Sequence, residues 1–167
     1  EILQSYPFDV VLGSVHWLDG FWVDAPSSQK LYEQGPAKVE AIWGAYWQKL
    51  EKAIRSQLFD VMAHLDLPKK FGFFPERPLT DLEFKVIAAL TATGTAVEVS
   101  TAGRRKPVGE DYPSPSLLER LVAARVPLVL SSDAHAPEEV GFGFSDVIPR
   151  LSRQGVSEVF YFRRRQP

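Results

Sequence analysis

Cysteine is absent from this sequence of 167 residues. Disulfide bonds and thiolate metal sites are therefore excluded within it. Such a chain is compatible with a reducing compartment, and we expect a cytoplasmic protein. Any metal site formed by these residues would use imidazole and carboxylate ligands, and the sequence offers only three histidines for it.

Excess positive charge is also absent, because 19 Lys and Arg residues stand against 21 Asp and Glu residues. Nucleic acids and anionic membrane surfaces are bound by clustered cationic side chains, so we expect neither as a partner. No apolar run approaches the ~20 residues that a membrane-spanning helix requires. The one basic run, Arg163–Arg165, is interpreted as a solvated tail.

Several sequence motifs that identify enzyme classes are missing as well. The chain has no G-x-S-x-G segment, and its Ser131 and Ser132 lie beside Asp133 rather than on a glycine turn, which excludes a serine hydrolase of that type. It has neither a P-loop nor a G-x-G-x-x-G segment, so no nucleotide phosphate cradle is predicted.

The apolar pattern is that of one α/β domain covering residues 1–167, because 45% of the residues are hydrophobic and no repeat or linker interrupts them. Short β-rich runs alternate with segments of helical period, which favours a parallel sheet. The predicted strands are 8–15, 59–63, 96–100, 127–131 and 158–162. Five strands are too few for a barrel of eight, so in a barrel the first strands would precede Glu1.

Four helices are predicted between these strands, at 37–57, 80–93, 114–125 and 145–155. The first has an apolar face made by Val39, Ile42, Trp43, Tyr46, Leu50 and Ile54. The second is predicted to begin with Thr80 as its cap and Glu83 bonding back to it, and to end before Gly94. Pro149 is expected near the first turn of the fourth.

All three histidines follow predicted strands. His16 follows the first strand, His64 the second, and Asp133 with His135 the fourth. The carboxyl ends of parallel strands meet at one edge of a sheet, so these side chains should converge there. Imidazoles and a carboxylate suit Zn, Mn or Fe, although each histidine alone could simply be hydrogen-bonded at a strand end.

Cationic side chains follow two of the predicted strands. Arg104, Arg105 and Lys106 lie after the third strand, and Lys69 and Lys70 lie after the second. Guanidinium groups match phosphate oxygens, so a substrate carrying a phosphate is predicted. The alternative is a solvated loop with scattered cations.

The segments "GSVHW", "HLDLPKKFG", "VSTAGRRKPVGEDYPSP" and "SSDAHAPEEVGFGF" occur in this order. Together they resemble the histidinol-phosphate phosphatases of the polymerase-and-histidinol-phosphatase superfamily, from Phe8 to about Phe162. Ser100 stands where the family has Asn, and Arg104 where it has Leu, so Arg105 matches the family arginine.

The resemblance implies a distorted (β/α)7 TIM-like barrel that holds three divalent metal ions, of which this chain would be the C-terminal portion. It implies hydrolysis of L-histidinol phosphate to L-histidinol and phosphate in histidine biosynthesis. The family's opening H-x-H, a further histidine and a bridging glutamate would lie in an N-terminal part that is missing here.

By the same resemblance, His16 and His64 would bind one metal, Asp133 a second and His135 a third, with Asp133 and His135 at the catalytic centre. Arg105 would clamp the substrate phosphate.

Lys106 and Lys70 would assist Arg105 in binding the substrate phosphate.

Two alternative functions stay open: a phosphoesterase of the same superfamily acting on another small phosphate ester or a nucleotide, and a non-catalytic homologue that has lost the metal cluster.

Overall fold

The computed structural model describes residues 2–167. Within them, six short strands form two sheets. In chain order they are β1 (Leu12–Gly13), β2 (Trp17–Leu18), β3 (Phe21–Trp22), β4 (Val61–Met62), β5 (Ala96–Ser100) and β6 (Leu128–Ser131). β1, β4, β5 and β6 make one parallel sheet, and β2 pairs with β3 as an antiparallel hairpin.

Helices alternate with the parallel strands. In chain order they are α1 (Ile2–Ser5), α2 (Gln29–Tyr32), α3 (Pro36–Arg55), α4 (Thr80–Thr93), α5 (Pro115–Ala123) and α6 (Phe144–Arg153). Short 3-10 helices occupy Pro26–Ser28, Leu67–Phe71, Thr101–Arg105 and Pro137–Glu139. The α/β class with a parallel sheet is therefore confirmed.

The longest helix, α3, follows the predicted pattern. Pro36 occupies its first turn, where a missing N–H costs nothing. All six predicted apolar positions are buried, and Trp47 beside them is 2% exposed. This face packs against α4, so the helix lies where its amphipathic stripe requires.

The predicted capping of α4 by Thr80 is wrong. Leu79 precedes the helix, and the Thr80 hydroxyl donates to the carbonyl oxygen of Pro78 at 3.3 Å. Glu83 pairs instead with Arg120 of α5, since a charged partner outweighs a local backbone bond. The predicted end is confirmed: Gly94 follows α4 with φ of 70°.

Pro149 lies inside α6, early in its second turn and close to its predicted place near the first turn. The predicted strand at 158–162 is wrong. The only backbone bond of this segment to the sheet joins the Phe160 N–H to the Leu128 carbonyl oxygen at 2.7 Å, among the bonds described for residues 2–167. A single bond does not make a strand ladder.

The interpretation of Arg163–Arg165 as a solvated tail holds for the exposed side chains of Arg163 and Arg164 but is wrong for Arg165. Arg165 Nε lies 3.0 Å and 3.1 Å from the two carboxylate oxygens of Asp60, just before β4. The Arg164 N–H donates to Asp9 at 2.8 Å. The end of the chain is thus tied to the amino-terminal side of the sheet.

None of the helices described within residues 2–167 is long and apolar enough to cross a membrane.

Candidate active site

The predicted ligands converge at the carboxyl end of the parallel sheet. The loops after β1, β4 and β6 carry His16, His64, Asp133 and His135 to the wall of one cavity of about 160 Å³. Lys70 and Lys106 line the same cavity. The remaining lining residues are Asp24, Leu67, Ala102 and Tyr112. Six of the seven predicted site residues are therefore brought together, and Arg105 is not among the lining residues.

His16 and His64 lie side by side in the wall of this cavity. Their ring centroids are 4.9 Å apart with an interplanar angle of 73°. The His64 N–H donates to Glu98 Oε2 at 2.8 Å, and the backbone of His64 has φ of 28°. Burial, with the neighbouring His16, lowers the pKa of His64 to about 4. Its imidazole is therefore neutral near pH 7, the form that binds metal ions.

Asp24 is a site residue that the sequence analysis missed. Its Oδ1 lies 3.0 Å from His16 Nδ1, and its other carboxylate oxygen lies 3.3 Å from Lys70 Nζ. Burial opposes ionisation of Asp24, but the hydrogen bond and charge of His16 and the charge of Lys70 lower its pKa to about 2. Asp24 is thus a carboxylate between two cationic or donor groups.

The hairpin β2–β3 brings Asp24 to His16. Its two strands are joined at Asp19 and Gly20, and Val23 N–H donates to the His16 carbonyl oxygen at 2.7 Å. An Asp-Gly pair between apolar residues is a hairpin signal, so this turn was visible in the sequence. It folds the chain back so that a residue eight positions later faces His16.

Asp133 and His135 lie on the loop after β6, which has an unusual backbone. Asp133 has φ of 45°, and its N–H donates to Ser131 Oγ at 2.9 Å. The His135 ring is largely exposed, and its Nδ1 lies 2.9 Å from the Asp133 carbonyl oxygen. The His135 N–H donates to Glu139 at 2.8 Å, which closes the loop on itself.

Arg105 is hydrogen-bonded to the backbone of that loop. Its Nη2 donates to the carbonyl oxygens of Ser132 at 2.8 Å and Asp133 at 3.3 Å, and lies 3.2 Å from Glu139. The guanidinium carbon lies 5.0 Å from the centre of the Phe142 ring. Its Nε and Nη1 are buried and have no hydrogen-bond partner among residues 2–167.

Arg104 and Lys69 do not line the cavity. Arg104 forms a two-pronged pair with Asp111, at 2.5 Å and 3.0 Å, and reaches Asp146 at 3.1 Å. The Lys69 ammonium is fully buried, at 3.0 Å from Asp66 and 2.7 Å from Glu110. Both cations are neutralised by carboxylates, so neither is available to a phosphate.

The residues present fit a metal ion only in part. His16 and His64 offer two imidazoles side by side, one buried and neutral and the other hydrogen-bonded to a carboxylate. Within residues 2–167, however, no group of three or more His, Cys, Asp and Glu side chains is arranged to hold a metal ion. A complete site needs further ligands.

A larger cavity of about 420 Å³ lies between α3, α4 and α5. Its walls include Trp43, Trp47, Phe74 and the Glu83–Arg120 pair, and no histidine. We place the candidate chemistry in the smaller cavity because the potential metal ligands lie there.

No family model matches the chain. A curated "probable histidinol-phosphatase" from Deinococcus radiodurans is 39% identical over 168 residues, covering 100% of this chain and 63% of its own length. A second "probable histidinol-phosphatase", from Clostridium acetobutylicum, is 21% identical over 98% of this chain and 65% of its own length. The chain therefore resembles histidinol-phosphatases along its whole length and spans less than two thirds of these relatives.

A solved structure has the same fold. The histidinol phosphate phosphatase from Lactococcus lactis, complexed with Zn, L-histidinol and phosphate, superposes with a TM-score of 0.79 at 20% sequence identity. The match covers 99% of this chain and 64% of that one.

Proposed function

We propose that this chain is part of a histidinol-phosphatase, a metal-dependent phosphomonoester hydrolase that converts L-histidinol phosphate to L-histidinol and phosphate. The observation that carries the proposal is the convergence of His16, His64, Asp133 and His135 in one cavity together with two lysines. The similarity to the Deinococcus radiodurans protein, along the entire chain, supports the same reaction.

The complete protein would be a single domain with a distorted (β/α)7 barrel, of which this chain supplies one portion. The parallel strands lie side by side in sequence order, as in barrels, whereas a doubly wound sheet reverses its order at a switch point. Segments of the longer protein outside this sequence would complete the barrel and the ligand set.

The proposed site holds three divalent ions, of Zn, Mn or Fe. His16 and His64 would hold one ion, Asp133 a second and His135 a third. When bound, such ions provide a nucleophilic water near neutral pH and neutralise phosphate charge. The neutral state of His64 and the hydrogen bond of His16 suit both imidazoles to this role.

Phosphoryl transfer depends mainly on positioning and on neutralising charge at the phosphate oxygens. Lys70 and Lys106 line the cavity and would contribute ammonium groups to those oxygens. Arg105 does not line the cavity, and its Nη2 holds the Asp133 loop. Its buried Nε and Nη1 have no partners among residues 2–167, and in the complete site they would become the donors to the phosphate. In this arrangement Asp133 and His135 line the cavity as the catalytic residues that hold the metal ions.

The test is phosphate release by the full-length protein, measured with L-histidinol phosphate, a nucleoside monophosphate and a simple aryl phosphate. We expect kcat/KM for histidinol phosphate to exceed the values for the other two esters by about 10²-fold, as contacts to a polar substrate allow.

His64→Asn should abolish activity and lower metal content, whereas Lys49→Ala on the exposed side of α3 should change neither. Equal rates on all esters would favour a general phosphoesterase. Fewer than two bound metals with no hydrolysis would favour a non-catalytic homologue.

A further inference from the structure

Asp24 makes a connection that the proposed reaction does not by itself require. Its carboxylate joins His16, through Nδ1 at 3.0 Å, to Lys70, through Nζ at 3.3 Å. The Lys70 ammonium also donates to the Asp24 backbone carbonyl oxygen at 2.7 Å. His16 lies only eight positions before Asp24, whereas Lys70 lies 46 positions after it.

A carboxylate can only accept hydrogen bonds, so His16 Nδ1 must carry the proton in this contact. The neutral ring then has its lone pair on Nε2, which leaves that nitrogen as the one able to bind a metal ion. Without Asp24, the ring could rotate and exchange tautomers freely. A carboxylate behind a metal-binding histidine raises the basicity of the ring and fixes its orientation.

Lys70 holds the carboxylate in place. An ammonium group has three N–H donors, and two of them are directed to Asp24. One donor is left for a substrate phosphate. Lys70 therefore lines the cavity in a position fixed by Asp24, and loss of Lys70 would loosen Asp24 in turn.

We propose that Asp24 is a positioning residue, which fixes the Nδ1–H tautomer of His16 and anchors Lys70 at the same time. The effect on metal binding rests on the proposed function; the effect on the tautomer does not. Asp24 touches neither substrate nor the reacting phosphorus in this proposal and acts through His16 and Lys70.

The first experiment measures ring nitrogen chemical shifts by NMR in the full-length protein labelled with 15N-histidine and stripped of metal. The His16 signals are assigned by their loss in His16→Asn. We expect the Nδ1–H tautomer in the unmodified protein and a mixture dominated by Nε2–H in Asp24→Ala. Asp24→Asn, which keeps the shape and one acceptor oxygen, should lie between them and serves if the alanine variant fails to fold.

The matched control is Asp19→Ala. Asp19 lies in the same hairpin, is fully exposed and pairs only loosely with Lys49 at 3.6 Å, among the contacts described. Its removal should leave the His16 tautomer unchanged. An unchanged tautomer in Asp24→Ala and in Asp24→Asn would overturn the proposal.

The second experiment measures zinc affinity by competition with a chelator. Asp24→Ala should weaken binding by about 10–100-fold, the usual cost of losing a carboxylate behind a histidine ligand. Lys70→Ala should weaken it by a few-fold, whereas a lysine that only touched phosphate would leave it unchanged. If Asp24→Ala shifts the tautomer and the protein binds zinc without hydrolysing histidinol phosphate, the proposed function is wrong and the role of Asp24 stands. Unchanged zinc affinity in Asp24→Ala would overturn its link to the metal.

Discussion

Arg104 and Arg105 are neighbours in the sequence and have opposite surroundings. The guanidinium of Arg104 is taken up by Asp111 and Asp146, whereas Arg105 lies under the loop of Asp133 with two nitrogens unpaired within the described part of the chain. The resemblance to known phosphatases had already singled out Arg105. The structure adds the reason why Arg104 cannot take its place.

Replacement of Arg105 by Ala should lower kcat/KM by on the order of 10²-fold or more, because a charge-assisted contact worth ~3 kcal/mol in the transition state is lost. Metal content should also fall, because Arg105 no longer holds the Asp133 loop. Arg105→Lys should recover only part of the rate, since an ammonium cannot reproduce the planar fork. Steady-state kinetics with metal analysis measures both. Full activity in Arg105→Ala would show that this residue does not bind the substrate phosphate.

Replacement of Arg104 by Ala should act on stability and leave kcat/KM within a few-fold. Asp111 is 1% exposed, and it would keep only Arg150 as a charged partner among the residues described. We expect the free energy of unfolding to fall by about 1–3 kcal/mol. This loss is smaller than that for a buried charge with no partner, because Arg150 still pairs with Asp111. Urea denaturation of both single variants provides the comparison. A larger loss of activity in Arg104→Ala than in Arg105→Ala would exchange their roles.

At the scale of elements, the 3-10 helix Thr101–Arg105 is closely packed by a turn that follows it. A Cβ atom on Gly103 would collide with the Glu110 carbonyl oxygen and press on the Tyr112 ring. Gly44, in the middle of α3, has only one side-chain atom, Leu82 Cδ1 at 3.9 Å, near such a position. The packing therefore excludes a Cβ atom at Gly103 and leaves room for one at Gly44.

We expect Gly103→Ala to destabilise the protein by about 1–3 kcal/mol, because a backbone atom must shift, and to lower activity through displacement of Arg105. Gly44→Ala should stabilise it by roughly 0.5–1 kcal/mol, since alanine restricts the unfolded chain and favours helix. Thermal unfolding measured by circular dichroism compares the two. Stabilisation by Gly103→Ala would contradict the packing described for this loop.

At the scale of the whole molecule, the four-stranded sheet has two outer strands, β1 and β6. Leu12 in β1 is 52% exposed and belongs to an edge without a second neighbour in the sheet of residues 2–167. Unpaired apolar edges promote association between chains. In the proposed barrel, this edge would be covered by segments outside the sequence.

Residues 1–167 expressed alone should therefore be poorly soluble and inactive, and Leu12→Lys should raise the soluble fraction. In the full-length protein the same substitution should lower stability by about 1–3 kcal/mol, because a lysine would be placed in a covered position. Sedimentation of the short form and denaturation of the full-length form measure these effects. A monomeric, cooperatively unfolding and active short form would contradict both the barrel and the need for further ligands.

The α/β class and the buried face of α3 were predictable from sequence, because both depend on the local spacing of apolar residues. The convergence of His16, His64, Asp133 and His135 was predictable because parallel strands end at the same edge of a sheet. Tertiary structure alone decided the rest. Lys70 reaches Asp24 from 46 positions away, Glu83 pairs with Arg120 of another helix, and Arg165 binds Asp60 from 105 positions away. Such partners are chosen by proximity after folding, and no spacing along the chain specifies which carboxylate a given cation will meet.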